Sequence, residues 1–335
     1  MKVTKLLMIV FFAFVISNNQ TQAQENISSD LITPPYIQKG DTIAIVAPAG
    51  KLTNRKEIIL QAKELVESWG LHVVYGKHLF DAAGHFSATD EQRADDFQKA
   101  MDNPNIKAIW AGRGGYGTVR ILDKLDFTQF KKHPKWVIGY SDITALHSHL
   151  NTLGYETIHG MMGTSLGDDP EKIIATIKSF KKAVFGEQLS YSLVSSKENK
   201  KGVAKGQLIG GNLSILTSML GSQSQMNADG KILFIEEIGE YKYSIDRMLQ
   251  SLKRAGFFNN CKGIIVGGIS NIKVNSTKWG SSIEQLILDV VDEYDFPVLF
   301  HFPAGHEPDN RALIYGRTIE MSVTKEGIST VVFDE

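Results

Sequence analysis

Apolar residues recur along this chain with two alternating periods. Short runs, "TIAIVA" (42–47), "HVVYG" (72–76), "IKAIWAG" (106–112) and "WVIG" (136–139), read as buried strands. Between them the apolar positions return every three or four residues, as on one face of a helix. In "NRKEIILQAKELVESWG" that face is Ile58, Ala62, Leu65, Val66 and Trp69, with Gly70 as the stop. Thr89 and Gln92 in "TDEQ" form a capping box that opens a second helix with Ala94, Phe97, Ala100 and Met101 on its apolar face. A third helix is expected from about Gly117 to Leu125 and a fourth after Ser141. Strands alternating with helices of this length predict an α/β domain, residues 35–185, with a parallel sheet covered on both faces and ligands at the carboxyl ends of its strands.

The alternation then breaks. Residues 186–205, most of them in "LSYSLVSSKENKKGVAKG" (189–206), are polar and rich in Ser and Lys, and read as a linker or an edge hairpin. Beyond them "GQLIGGNLSILTSML", "KILFIEEIGE", "GIIVGG", "PVLFHFPAGH" and "TIEMSVTKEGISTVVFD" predict a second, β-rich domain over 206–335.

The chain begins with a basic start (Lys2, Lys5), an apolar run from Leu6 to Ile16 and a polar tail ending Thr21-Gln22-Ala23. That is the pattern of a signal peptide over 1–23, and the run is too short to span a bilayer. The expected location is therefore outside the cytoplasm, periplasmic or secreted, with no membrane attachment after cleavage. The 36 basic and 37 acidic side chains leave no excess charge to attract nucleic acid or anionic lipid, so a small or weakly charged ligand is expected. The single cysteine, Cys261, excludes an internal disulfide and precedes a strand-like run, where a structural role fits.

Candidate chemistry gathers where strands end. "AGRGGYG" (111–117) follows the strand 106–112, and its glycines allow backbone to approach a ligand closely with N–H groups facing it. Gly112, Gly114 and Gly117 fit the dinucleotide spacing, but this is not the first strand and no acid follows at the required distance; no Walker lysine is present either. One strand further on, "VIGYSDITALH" places Ser141 at a strand-to-helix junction. Ser141 is either the helix cap or a nucleophile on a sharp turn, and Asp142 would serve equally well as the cap. A serine nucleophile needs a base. His147 and His149 lie two apart on a helix and cannot share a metal, and no H-E-x-x-H occurs. His306 in "FPAGHEPDN" sits in a polar loop after a strand, where its ring could reach a site. Glu236 and Glu237 end the strand "ILFIEE"; if it stays extended they face opposite sides, and only one could orient a histidine. Solvated surface acids are the alternative.

"GRGGYGTVR" ending in Arg120, "IGYSDITALH", "GGNL" (210–213), "FIEEIGEYKYSIDRML" and "PAGH" occur in this order, and together the chain resembles the L,D-carboxypeptidases, the muramoyl-tetrapeptide carboxypeptidase family of serine peptidases, over roughly residues 35–330. The resemblance implies a flavodoxin-like N-terminal domain, a smaller β-rich C-terminal domain, and a site in the cleft between them. It implies Ser141 as nucleophile, His306 as base and Glu236 as its orienting acid. The expected backbone donors of an oxyanion hole are Gly115 and Asp142, the latter because the residue after the nucleophile sits at a helix N-terminus, with Gly114 and Tyr116 beside the substrate. It implies hydrolysis of the bond before the terminal D-alanine of murein tetrapeptides, without metal or cofactor; a homodimer is compatible with it. A microcin C-type peptide-nucleotide hydrolase conferring self-immunity and an inactive wall-peptide binding protein are the alternatives. Two motifs depart from the family pattern, "APAG" (47–50) and "HGMMG" (159–163), and neither contains a triad residue.

Overall fold

A computed structural model describes residues 31–335, so the expected signal segment, 1–23, lies outside the described residues. The first part of the chain runs β1 (Thr42–Val46), α1 (Lys56–Glu67), β2 (His72–Tyr75), α2 (Asp90–Asp102), β3 (Ile106–Ala111), α3 (Thr118–Leu122), α4 (Thr128–Lys132), β4 (Trp136–Gly139), α5 (Thr144–Thr152), β5 (Thr157–His159) and α6 (Ile174–Phe185). Its strands pair in parallel in the order β5-β4-β3-β1-β2. The four expected strands are present. β5 was not anticipated because three residues carry no readable period. The capping box at Thr89 and Gln92 forms as expected, and Ala94, Phe97, Ala100 and Met101 are buried. In α1 and the turn after it the expected face holds at Ala62, Val66 and Trp69, which are buried, with Leu65 partly buried; only at its start does Ile59 take the place expected of Ile58, which is half-buried. The helix expected over 117–125 stops at Leu122, and the chain turns before α4.

The second part contains β6 (Ser190–Val194), β7 (Gly202–Asn212), α7 (Leu213–Ser218), β8 (Ile232–Ile238), α8 (Lys242–Arg254), β9 (Gly263–Ser270), α9 (Ile283–Val291), β10 (Val298–Leu299), β11 (Leu313–Tyr315), β12 (Thr318–Val323) and β13 (Ile328–Phe333). Its sheet has the order β10-β9-β8-β7-β12-β13-β6, parallel from β10 to β7 and antiparallel from β7 to β6. Residues 186–205 are thus not a linker. They supply the edge strand β6 and the start of β7, and their polarity is that of a strand with one wet face, since Tyr191 is buried while Ser190 and Ser192 are exposed.

The two parts are not separate bodies. β11 leaves the second domain and pairs antiparallel with β5, setting Leu313 opposite His159 and Tyr315 opposite Thr157. One hydrophobic core accordingly runs from Trp110 and Ile138 of the first sheet and Phe180 of α6 to Leu208, Phe234, Phe302 and Tyr315. Cys261 is free and buried, donates to the Lys231 and Gly263 carbonyls, and burial pushes its thiol up to about 11, which makes it a packing residue.

Just after β11, Arg317 reaches back to Glu156 at the head of β5. Nε and Nη2 donate to the two carboxylate oxygens at 2.7 Å each, and Nη2 also donates to the Tyr36 hydroxyl at 2.8 Å. Removing one partner of a buried pair strands the other charge. Arg317→Met is expected to lower the free energy of unfolding in urea by about 3 kcal/mol; a loss below about 0.5 kcal/mol, the size of an ordinary surface change, would contradict this role for the pair.

Candidate active site

β4 ends at Gly139, and the chain reverses through Tyr140 into a turn, Ser141–Ile143, that leads to α5. Ser141 holds φ at +63°, a left-handed conformation that a non-glycine residue adopts only under constraint. It makes no capping hydrogen bond to the helix that follows. Asp142 does not cap that helix either. Its carboxylate crosses to the glycine loop and accepts from the Thr118 N–H at 2.7 Å, fastening the loop to the serine turn. Burial raises the Asp142 pKa, and the Thr118 hydrogen bond holds part of that rise back.

The strained turn puts the Ser141 hydroxyl 3.0 Å from His306 Nε2, and His306 Nδ1 lies 2.6 Å from Glu236 Oε2. A carboxylate can only accept, so Nδ1 carries the proton and donates it to Glu236, leaving Nε2 to accept from the serine hydroxyl. The strand β8 delivers Glu236. Its register against β9 slips between Ile235 and Glu237, and irregularities of this kind re-aim side chains near sites. Glu236 is completely buried, and Gly305 lets the histidine loop approach it: a Cβ there, at φ +126°, would stand 3.0 Å from Glu236 Oε2 and 3.1 Å from its Cβ. Burial works against a charged His306, but the hydrogen bond and charge of Glu236 outweigh it, so the imidazole pKa is raised above its ordinary value.

Glu237 takes the opposite side of the strand, as alternation requires. It is not a surface acid: it accepts from Asn212 Nδ2 at 3.1 Å and from the Ser214 and Ile238 N–H groups at 2.8 Å each, holding the "GGNL" turn onto β8. Glu236 is therefore the acid brought to His306.

Gly114 abuts the serine. A Cβ at that position would lie 3.1 Å from Ser141 Cβ and 3.3 Å from its Oγ, so only a glycine leaves room for a reacting group there. Gly115 follows at φ +108° in the same loop. Tyr116 turns outward, about half exposed, with its ring near those of His85 and Phe86. Arg120 pairs with Asp90 at 2.8 Å and lies over the Phe86 ring.

Four supporting residues were not picked out from the sequence. Buried Arg93 donates to the Pro48 and Gly117 carbonyls, bracing the glycine loop from beneath. Asn310 Oδ1 accepts from the Gly305 N–H at 2.9 Å and from His159 Nε2 at 3.1 Å, fixing the loop that bears His306. His159, pushed down to about 3 chiefly by burial, stays neutral and accepts from the Tyr315 hydroxyl. Tyr140 sets its ring edge-on to His306 at 5.1 Å between centroids. Arginine on an amphipathic helix and a polar residue four places after a loop histidine look like surface residues until the loops close over them.

His147 and His149 are buried in α5, hydrogen-bonded to the Gly139 carbonyl and the Ser224 hydroxyl respectively. Among the described residues one group, His78, Asp95 and Asp96, has the spacing of metal ligands, and it shares no residue with the Ser141 site.

Comparison with known proteins gives the family. Residues 43–160 match the LD-carboxypeptidase N-terminal domain and residues 205–321 the LD-carboxypeptidase C-terminal domain. The chain is 36% identical to the probable murein peptide carboxypeptidase of Bacillus subtilis, with 88% of this chain and 92% of that one covered. It is 30% identical to the murein tetrapeptide carboxypeptidase of Pseudomonas aeruginosa (82% and 91%) and 27% identical to the Microcin C7 self-immunity protein MccF of Escherichia coli (90% and 96%). The crystal structure of muramoyltetrapeptide carboxypeptidase from Oxalobacter formigenes superposes with a TM-score of 0.78 at 28% identity, covering 88% of this chain and 99% of that one. The chain belongs to the LD-carboxypeptidase family.

Proposed function

We propose that this protein is a serine carboxypeptidase that hydrolyses the bond before the terminal D-alanine of murein tetrapeptides. The observation that carries the reading is the continuous hydrogen-bonded line Ser141–His306–Glu236, ending at a serine held at φ +63°. Its murein specificity is supported by the names of the relatives.

In this mechanism His306 Nε2 takes the Ser141 proton as Oγ bonds to the carbonyl carbon of the diamino acid. Glu236 keeps Nδ1 protonated and stabilises the imidazolium that forms. The oxyanion is received by backbone N–H groups, for which Gly115 and Asp142 are the candidates. Asp142 is the residue after the nucleophile and stands in the tight turn that leads into α5, where N–H groups lack helical partners. His306 then gives its proton to the departing amine of D-alanine, and water, deprotonated by the same nitrogen, releases the acyl group from Oγ. Export is part of the proposal and rests on residues 1–23; it places the enzyme where murein lies.

D-Alanine release from a murein tetrapeptide tests the reading, with a peptide-nucleotide conjugate as the competing substrate; a clear preference for the conjugate would favour the self-immunity alternative. Ser141→Ala, His306→Ala and Glu236→Gln are each expected to lower turnover by a factor on the order of 10⁴. Glu237→Gln should keep activity within roughly tenfold, about 1.4 kcal/mol of barrier, while losing about 1–3 kcal/mol of stability because an amide nitrogen cannot accept the bonds its carboxylate now receives. An inactive Glu237→Gln beside an active Glu236→Gln would reverse the assignment.

The base must be neutral to accept a proton. With the His306 pKa raised, kcat/KM should fall on acidification with a midpoint above the ordinary histidine value of 6.5. In Glu236→Gln burial is opposed only by the more distant charges of Glu237 and Glu307, so the His306 titration followed by NMR should move downward from that of the unaltered protein. An unchanged titration would mean that Glu236 does not govern the imidazole.

A further inference from the structure

The "APAG" turn (47–50) and the arginine of "GRGGYG" take no part in the triad, yet they meet beside it. Arg113 precedes Gly114, the residue that abuts Ser141, and its side chain runs back to the turn that leaves β1. There Nη1 donates to the Lys51 carbonyl at 2.7 Å. Gly50 stands between the guanidinium and the glycine loop. Its N–H donates to the Gly114 carbonyl at 3.0 Å, and a Cβ on it would lie 2.8 Å from that oxygen and 3.7 Å from Arg113 Cζ. A glycine at position 50 therefore lets the cation stand close to the serine turn.

Arg113 has five N–H donors and uses one. It is half-buried and forms no ion pair among the described residues. Burial, and after it the charge of Arg55, lowers its pKa, so the nearest charge it feels is of its own sign. Arg55 has no ion pair among the described residues either. Asp168 is near enough for Arg55 to offset part of the rise that burial gives its carboxyl, but it bonds to neither arginine. Two guanidinium groups thus stand together with no carboxylate bound to them, whereas charges taken out of water are ordinarily paired. The complement is an anion from outside the chain, and a carboxylate matches the planar guanidinium fork through two parallel hydrogen bonds.

A peptide cut one residue from its end carries such an anion, about 4 Å of chain beyond the attacked carbonyl. We propose that Arg113, with Arg55 adding its charge, receives the C-terminal carboxylate of the D-alanine that leaves. The pair then acts as a gauge of chain length: a bond further from the end places no carboxylate at Arg113, so only the last residue is removed. The inference rests on the carboxypeptidase reading above and adds to it the group that confines cleavage to the terminus.

Two murein tetrapeptides that differ only at the terminus, one ending in D-alanine and the other in D-alaninamide, test it by kcat/KM for appearance of the tripeptide. The unaltered enzyme should favour the free acid by a factor on the order of 100, the scale of a bidentate charge-assisted pair. Arg113→Met should slow the acid by about that factor and leave the amide little changed, so that the preference disappears. Arg113→Lys, a point charge without the fork, should keep roughly tenfold of it. Equal rates of the unaltered enzyme on acid and amide, or an Arg113→Met variant that slows both in the same proportion, as it would if Arg113 only held the Lys51 turn, would overturn the assignment and leave the reaction intact. Cleavage of neither peptide would remove the carboxypeptidase reading as well. Should Arg113→Met fail to fold, Arg113→Lys decides the matter, and a preference equal to that of the unaltered enzyme would count against the clamp.

Discussion

The Glu236 carboxylate is completely buried, and only one of its oxygens has a partner: Oε2 accepts from His306, while Oε1 has none among the described residues. A buried charge without compensation costs several kcal/mol, so His306 is as necessary to Glu236 as Glu236 is to His306. Their pairing in turn depends on the approach that Gly305 permits and on Asn310 holding the loop behind it. The same ring binds Ser141, which comes from the other sheet. A single imidazole therefore joins the two halves of the site.

That junction explains why the two halves are not loosely tethered. A hydrogen bond of 3.0 Å between residues 165 apart survives only if the bodies carrying them keep their relation. β11 pairing with β5, the Arg317–Glu156 ion pair next to it and the common core supply that rigidity. The site lies near the carboxyl ends of β4 and β8, where parallel strands leave their loops free for chemistry.

Much of this was legible in the sequence because it follows from local rules. Buried-strand runs, the capping box at Thr89 and the alternation that separates Glu236 from Glu237 need nothing beyond neighbouring residues. The motif order identified the triad candidates, but not why each is held. Ser141 could not be told from a helix cap, because its φ is set by tertiary constraint. The polar stretch 186–205 could not be settled between a linker and an edge hairpin, because an edge strand with one wet face carries only half of a strand's apolar signal, and its partner, β13, lies far along the chain. Asn310, His159 and Arg93 were invisible because their partners lie 5, 151, 24 and 45 residues away. β11 escaped because its three residues gain their meaning only from β5.

The central claim is that Ser141 is activated by His306 for covalent attack. It is tested most directly by reacting the protein with a fluorophosphonate and locating the adduct by peptide mass spectrometry. The account predicts one adduct, on the peptide containing Ser141, formed in the unaltered protein and suppressed in His306→Ala. Labelling at another residue, or labelling of Ser141 at an unchanged rate without His306, would contradict it.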